Sequence, residues 1–151
     1  MDCHDTDSLH HVFLQVGHLH FHRTFLLLDK VGIYPGQPPM LFALYKKDGQ
    51  SQKELAKQLN IKPATITVML TRMEKAGLLE RRKDPDDQRV VRVYLTVTGR
   101  DVCLKVVKVT DGISEECFRD FTQEEKMLLR RLLMQMKENL TKVSSENVHV
   151  E

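Results

Sequence analysis

The sequence predicts a mainly α chain with a small β-hairpin wing, an α+β arrangement in which helices dominate. Three observations carry this. Apolar residues recur at three- and four-residue spacing in several separate stretches. Two of these stretches are short and joined by about three residues, which is the helix-turn-helix pattern. Between residues 78 and 96 the period changes to alternation around a charged loop that contains proline, which reads as a protruding hairpin.

Each element has its own signals. A first helix is expected over residues 9–31, with Leu9, Val12, Phe13, Val16, Leu19 and Leu26 at helical spacing, Ser8 as N-cap, and Gly32 followed by Pro35 as the stop. A turn-rich run, Tyr34-Pro35-Gly36-Gln37-Pro38-Pro39, precedes a second helix expected over residues 39–47 with Met40, Leu41 and Leu44 inward. Ser51-Gln52-Lys53-Glu54 has capping-box spacing, in which a hydroxyl and a carboxylate each satisfy an amide left over at a helix start. The short helix it opens carries Leu55, Ala56 and Leu59 on one face, and Asn60-Ile61-Lys62 forms the connection. Pro63 suits the first turn of the next helix, where its missing N–H costs nothing. That helix buries Ile66, Met69, Leu70 and Met73 and stops at Gly77. Leu79 precedes the hairpin turn, and Val91, Val93 and Leu95 alternate after it. Thr98-Gly99-Arg100-Asp101 is expected to cap a helix with Val102, Val106, Val109, Ile113 and Cys117 inward. Thr122-Gln123-Glu124-Glu125 is expected to cap a last helix carrying Leu128, Leu132, Leu133, Met136 and Leu140, with fraying after about Val143.

The composition, 151 residues with 41% hydrophobic and 29% charged, fits one folded domain over residues 1–151 and excludes a wholly disordered chain. No apolar run reaches the roughly 18–20 residues that span a bilayer, and the N-terminal MDCHDTDSLHH has no basic or apolar leader region. A soluble cytoplasmic protein without a membrane partner is expected. Three widely spaced cysteines, Cys3, Cys103 and Cys117, make neither a disulfide framework nor a CxxC metal site.

The net charge of +2 conceals an uneven distribution. Residues 1–35 hold two basic and four acidic groups, residues 36–98 twelve basic and seven acidic, and residues 99–151 nine basic and ten acidic. The middle of the chain is therefore +5 between arms of −2 and −1, a footprint for a polyanion. On the second helix of the helix-turn-helix, the outward positions are Ala64, Thr65, Thr67, Val68, Thr71 and Arg72. Solvated helix faces usually carry Glu and Lys pairs, whereas this one carries methyls, hydroxyls and one arginine. Methyls can touch thymine, hydroxyls can bond base edges, and Arg72 can reach phosphate or guanine. The hairpin clusters Arg81, Arg82, Lys83, Arg89 and Arg92, suited to a backbone or minor-groove contact. A solubilising loop is the alternative, since Asp84, Asp86 and Asp87 offset some of the charge, but Asp87 could instead hold Arg89 or another arginine in place.

The run LAKQLNIKPATITVMLTRMEKAGLLERRKDPDDQRVVRVYLTVTG resembles the helix-turn-helix and wing of the MarR (multiple antibiotic resistance regulator) family of bacterial transcription factors. The most specific part is the order Gly77-Leu78-Leu79, Arg81-Arg82, Asp87-Gln88-Arg89, Leu95-Thr96 and Gly99. The resemblance implies a homodimer on double-stranded DNA, with residues 9–31 and 99–143 as dimerisation helices and residues 36–98 as the DNA-binding lobe. It implies a repressor on a pseudo-palindromic operator, DNA contacts from Lys62, Ala64, Thr65, Thr67, Val68, Thr71, Arg72, Arg82, Asp87 and Arg89, and a small-molecule effector. His20, Tyr34 and Gln37 fall where such an effector would sit. Lys62 departs from the family, in which Ser or Thr often caps this helix; losing that acceptor costs about 1 kcal/mol and places a cation near the DNA backbone. The proline-rich entry at residues 35–39 is a second departure.

Six of the seven histidines lie within residues 4–22, and His18 with His22 has the i,i+4 spacing that can chelate a metal. A metal-sensing or oxidant-sensing regulator of the same fold is one alternative, and a winged-helix module that binds proteins is another. The histidines could instead be polar or interface groups. Cys103 and Cys117 are expected to be small core residues, and Cys3 to precede the ordered chain. No phosphate loop, nucleophile elbow or carboxylate pair appears, so neither an enzyme nor a cofactor is expected.

Overall fold

The computed structural model describes residues 8–146. Six helices and three short strands follow in the order α1 (Leu9–Asp29), α2 (Pro38–Lys46), β1 (Gln50–Ser51), α3 (Gln52–Leu59), α4 (Pro63–Lys75), β2 (Leu79–Lys83), β3 (Val91–Leu95), α5 (Val97–Cys117) and α6 (Gln123–Glu146). Two compact units result, one through Ile113 and one from Ser114 on.

In the first unit, a core built from Leu28, Met40, Leu41, Leu44, Leu55, Ile66, Leu70, Met73 and Val93 is closed to solvent. It unites α2, α3, α4 and the sheet, and Cys103 and Val106 of α5 join it. Ser8 caps α1 by accepting from the His11 amide. α1 stops at Asp29, two residues earlier than expected, because Gly32 at φ +73° turns the chain while its amide and that of Ile33 bond back to Asp29 and Leu28. α2 starts one residue early, at Pro38, behind Gln37. The Ser51 capping box is reciprocal: Ser51 Oγ accepts from the Glu54 amide at 3.2 Å, and Glu54 Oε2 accepts from the Ser51 amide at 2.7 Å. The Ser51 bonds hold the Glu54 carboxyl below its ordinary pKa. Asn60, at φ 52°, makes the left-handed turn between α3 and α4.

The sheet is antiparallel in the order β1-β3-β2, with Leu79 opposite Leu95, Arg81 opposite Val93, and Gln50 opposite Val93 on the other edge. β1 is a third strand that the alternation pattern does not reveal, because two residues are too few to show a period. Buried Gln50 explains its placement: its amide donates to the carbonyls of Ala43 at 3.1 Å and Lys47 at 2.8 Å, closing the end of α2.

The start of α5 corrects a second expectation. Thr96, not Thr98, is the capping residue: Thr96 Oγ1 accepts from the Gly99 amide at 2.9 Å and donates to the Gly77 carbonyl at 2.6 Å. Thr98 already lies within the helix. Gly99 is buried against the Leu78 carbonyl, which occupies the place a β-carbon would need. The buried positions of α5 end at Ile113, so Cys117 is exposed rather than a core residue, whereas Cys103 is buried and its thiol pKa raised by that burial.

In the second unit, α6 opens with the expected box, Thr122 Oγ1 accepting from the Glu125 amide and Glu125 Oε2 from the Thr122 amide. Phe118 and Phe121 meet edge to face at 6.0 Å. Among the described residues no helix is long and apolar enough to cross a membrane. Cys3 and the chain after Glu146 lie outside the described residues.

Gly99→Ala is expected to destabilise the protein by at least about 2 kcal/mol, because backbone must move to admit the methyl. A denaturant titration checks this; wild-type stability in that variant would show that the Leu78 approach is not tight.

Candidate nucleic-acid interface

α4 presents Ala64, Thr65, Thr67, Val68, Thr71 and Arg72 to solvent while burying Ile66, Leu70 and Met73, so the outward face expected from the sequence is present. Lys62 is the N-cap and makes no side-chain cap. The hydroxyls on this face are not equivalent. Thr67 Oγ1 donates to the Pro63 carbonyl at 2.9 Å and accepts from Gln52 Nε2 of α3 at 2.5 Å. Thr71 Oγ1 donates to the Thr67 carbonyl at 2.9 Å and accepts from the Arg81 guanidinium at 3.4 Å. Gln52 thus ties α3 to α4, a role that its place as an ordinary first-turn residue does not announce.

The wing is built around a carboxylate. Asp84 is 5% exposed. It accepts from the Asp86 amide at 2.8 Å, the Asp87 amide at 3.2 Å, and the Arg92 Nε across the hairpin. The Arg92 bond and these amides hold its carboxyl below the ordinary aspartate range. Arg92 also donates to the Gly49 carbonyl at 3.0 Å and lies 3.9 Å from Glu54 of α3. Asp84 and Arg92 therefore belong to the scaffold of the wing rather than to a solubilising charge cluster. An aspartate that accepts from the amide two residues on is a turn signal, and Asp84-Pro85-Asp86 carries it.

The arginines divide by task. Arg81 is bound by Glu74 through its backbone amide, its Nε at 3.0 Å and a terminal nitrogen at 2.5 Å, which lowers the Glu74 pKa. Arg82 pairs with Glu80, and its guanidinium lies over the Tyr94 ring at 4.9 Å. Arg89 is 91% exposed, and Asp87 Oδ1 orients it by accepting from its amide at 3.0 Å and its Nε at 3.1 Å. Asp87 and Arg89 thus form the pair expected at the wing tip.

Tyr34 and Gln37 are brought together, with Gln37 Oε1 accepting from the Tyr34 amide at 3.0 Å, and both line a cavity of about 540 Å³ with Ala64, Thr65, Val68, Met69 and Arg72. His20 is exposed on α1 and is not part of that lining. His18 and His22 are exposed on the same helix, and among the described residues no group of three or more His, Cys, Asp or Glu is placed to hold a metal.

Comparison with known proteins places this geometry. The MarR family model matches residues 33–91, which hold the helix-turn-helix and most of the wing. The chain is 32% identical over 114 residues to the HTH-type transcriptional regulator YdgJ of Bacillus subtilis, covering 76% of this chain and 70% of that protein. The chain belongs to the MarR family. Like other MarR regulators it is a DNA-binding transcription factor of winged-helix fold, not an enzyme. It is also 33% identical over 100 residues to the organic hydroperoxide resistance transcriptional regulator of B. subtilis, covering 64% of this chain and 68% of that one. Among solved structures, a mutant MarR from E. coli complexed with operator DNA superposes with a TM-score of 0.73 at 25% identity, covering 85% of this chain and 92% of that one.

Because the Asp84 pKa is depressed in the folded chain, its contribution is present above the ordinary aspartate pKa of about 4 and is lost as pH falls through the lower folded value. Amide exchange at Asp86 and Asp87 should therefore quicken, beyond its ordinary pH dependence, as acid protonates Asp84. In Asp84→Asn it should already be fast at neutral pH with α4 still protected. Equal protection in the variant would refute the scaffold role of the carboxylate.

Proposed function

We propose that the chain is a homodimeric, ligand-responsive repressor that binds a pseudo-palindromic operator, each lobe placing α4 in a major groove and Arg89 in the adjacent minor groove. The observation that carries this is the wing tip. Arg89 is exposed, and Asp87 accepts from both its backbone amide and its Nε, which favours this orientation before DNA arrives. A pre-ordered arginine fits a narrow, electronegative groove with little further loss of entropy. On α4, Lys62 and Arg72 reach phosphate or a base edge, and Ala64, Thr65, Thr67, Val68 and Thr71 meet bases. Arg82, held beside Tyr94, serves the phosphate backbone, and Asp87 acts through Arg89.

Dimerisation is supported by apolar surface within each unit. α1 exposes Leu14, Val16, Leu19 and Phe21, and α6 exposes Leu128, Leu132, Leu133 and Leu140. Faces this apolar call for a cover, and a second copy supplies it while doubling the contacts to DNA. Effector response is supported by the cavity beside Tyr34 and Gln37. Its wall includes Ala64, Thr65 and Arg72, so an occupant there bears directly on the face offered to DNA.

Arg89→Ala should weaken specific duplex binding about tenfold or more while leaving the oligomeric state unchanged. Titrations at several salt concentrations, read beside sedimentation, check this, and full affinity in the variant would refute the wing assignment. Leu132→Glu should shift the protein toward monomer and reduce specific affinity more than nonspecific affinity. A variant that stays dimeric would place the interface away from α6.

A further inference from the structure

The hydrogen bonds on α4 constrain what its outward face can read. A threonine hydroxyl has one proton. In Thr67 that proton goes to the Pro63 carbonyl, and in Thr71 it goes to the Thr67 carbonyl. Neither can then donate to a guanine or thymine acceptor. Each oxygen also already accepts, Thr67 from Gln52 and Thr71 from Arg81. The donor to Thr71 is itself constrained, since Arg81 is clamped by Glu74. With each hydroxyl turned back onto the helix, the methyl becomes the group each threonine offers outward. Ala64 and Val68 add methyls at three- and four-residue offsets, on the same exposed face. Thr65, by contrast, has no hydrogen bond to its hydroxyl among the described residues, so the donor capacity of this face is concentrated there and at Arg72.

We propose that Thr67 and Thr71 are specificity-determining residues that read the 5-methyl groups of thymine, because the one proton of each hydroxyl is already given to a backbone carbonyl and each oxygen already accepts within the protein. The proposal rests on the assignment of α4 as the DNA-reading helix and names what that helix selects: half-sites with thymine in the major groove beneath these two residues. Gln52 and Arg81 act as positioning residues, holding the hydroxyls away from the bases. The identity of the base is then sensed by contact with a methyl rather than by a donor and acceptor pattern.

The test uses the full chain and duplexes selected from a random pool. The selected duplex is compared with one in which deoxyuridine replaces thymidine in the half-sites, a change that removes the methyl and leaves every hydrogen-bonding edge intact. Affinity is expected to fall about fourfold for each contacted methyl, and to change less than about twofold when deoxyuridine is confined to the spacer between half-sites. Thr67→Val and Thr71→Val, which keep a methyl and lose the hydroxyl, should retain the preference for thymidine over deoxyuridine. The double variant Thr67→Ser with Thr71→Ser should lose most of that preference, with helix content by circular dichroism unchanged. Indifference of the wild-type protein to deoxyuridine, loss of the preference in the valine variants, or a selected half-site without thymine would overturn this inference alone. Failure to bind any duplex would overturn the DNA-reading assignment and this inference with it.

Discussion

The lobe depends on a backbone-to-backbone approach where the sheet hands the chain to α5. The Leu78 carbonyl sits where Gly99 would carry a side chain, and the same carbonyl accepts from the Thr96 amide at 3.1 Å. Thr96 adds a hydroxyl that bonds both the Gly77 carbonyl and the Gly99 amide. The turn that ends α4 and the turn that begins α5 are thereby locked to each other. The family pattern of Gly-Leu, then Leu-Thr two strands later, then Gly, acquires a physical meaning: one joint needs all of these residues at once. Asp48 reinforces it by accepting from the Leu95 amide and from Arg100, so the loop after α2 is fastened to the same point.

From this joint the hairpin projects, and its charges do three different things. Arg81 and Arg92 hold the structure together, Arg82 is shared between Glu80 and the Tyr94 ring, and Arg89 stays exposed beside Asp87. The surplus of positive charge in the middle of the sequence therefore overstates how many cations are available at the wing. What the hairpin gains is placement: Asp84 and Asp87 spend negative charge to fix where Arg89 stands. A less positive but ordered tip favours discrimination over indiscriminate attachment to polyanions.

Much of the fold was legible because its signals are local. The Ser51 box, Pro63, Gly77 and the alternation of Val93 and Leu95 each need only a few neighbours to be read. The misreadings came where a distant partner decides. Thr96 rather than Thr98 starts α5 because its hydroxyl has Gly77 to bond, nineteen positions away. β1 exists because Gln50 and Ser51 find β3. Cys117 has the right spacing for the apolar stripe of α5, but spacing does not say where the core ends. At the site, the wing pair Asp87 and Arg89 was readable from two opposite charges two positions apart in a loop, in the Asp-x-Arg order of the family pattern. The constraint on Thr67 was not, because Gln52 lies fifteen positions upstream. His20 was placed by position along a helix, which carries no information about the cavity wall.

The tether between the wing and the turn after α2 has a consequence for the order in which the chain assembles. The Asp84 bonds to Asp86, Asp87 and Arg92 span at most eight positions, so the hairpin can close as soon as its own residues are present. The bond from Arg92 to Gly49 spans 43 positions, and that from Arg100 to Asp48 spans 52. Closing loops of that size costs entropy that only the surrounding contacts recover. During synthesis the helix-turn-helix emerges first, with the carboxylate of Asp48 and the carbonyl of Gly49 lacking the partners they will later have. The fastening of the loop after α2 therefore waits for Arg92 and then for Arg100 in the first turn of α5, so the joint beneath the hairpin is the last part of the lobe that can close.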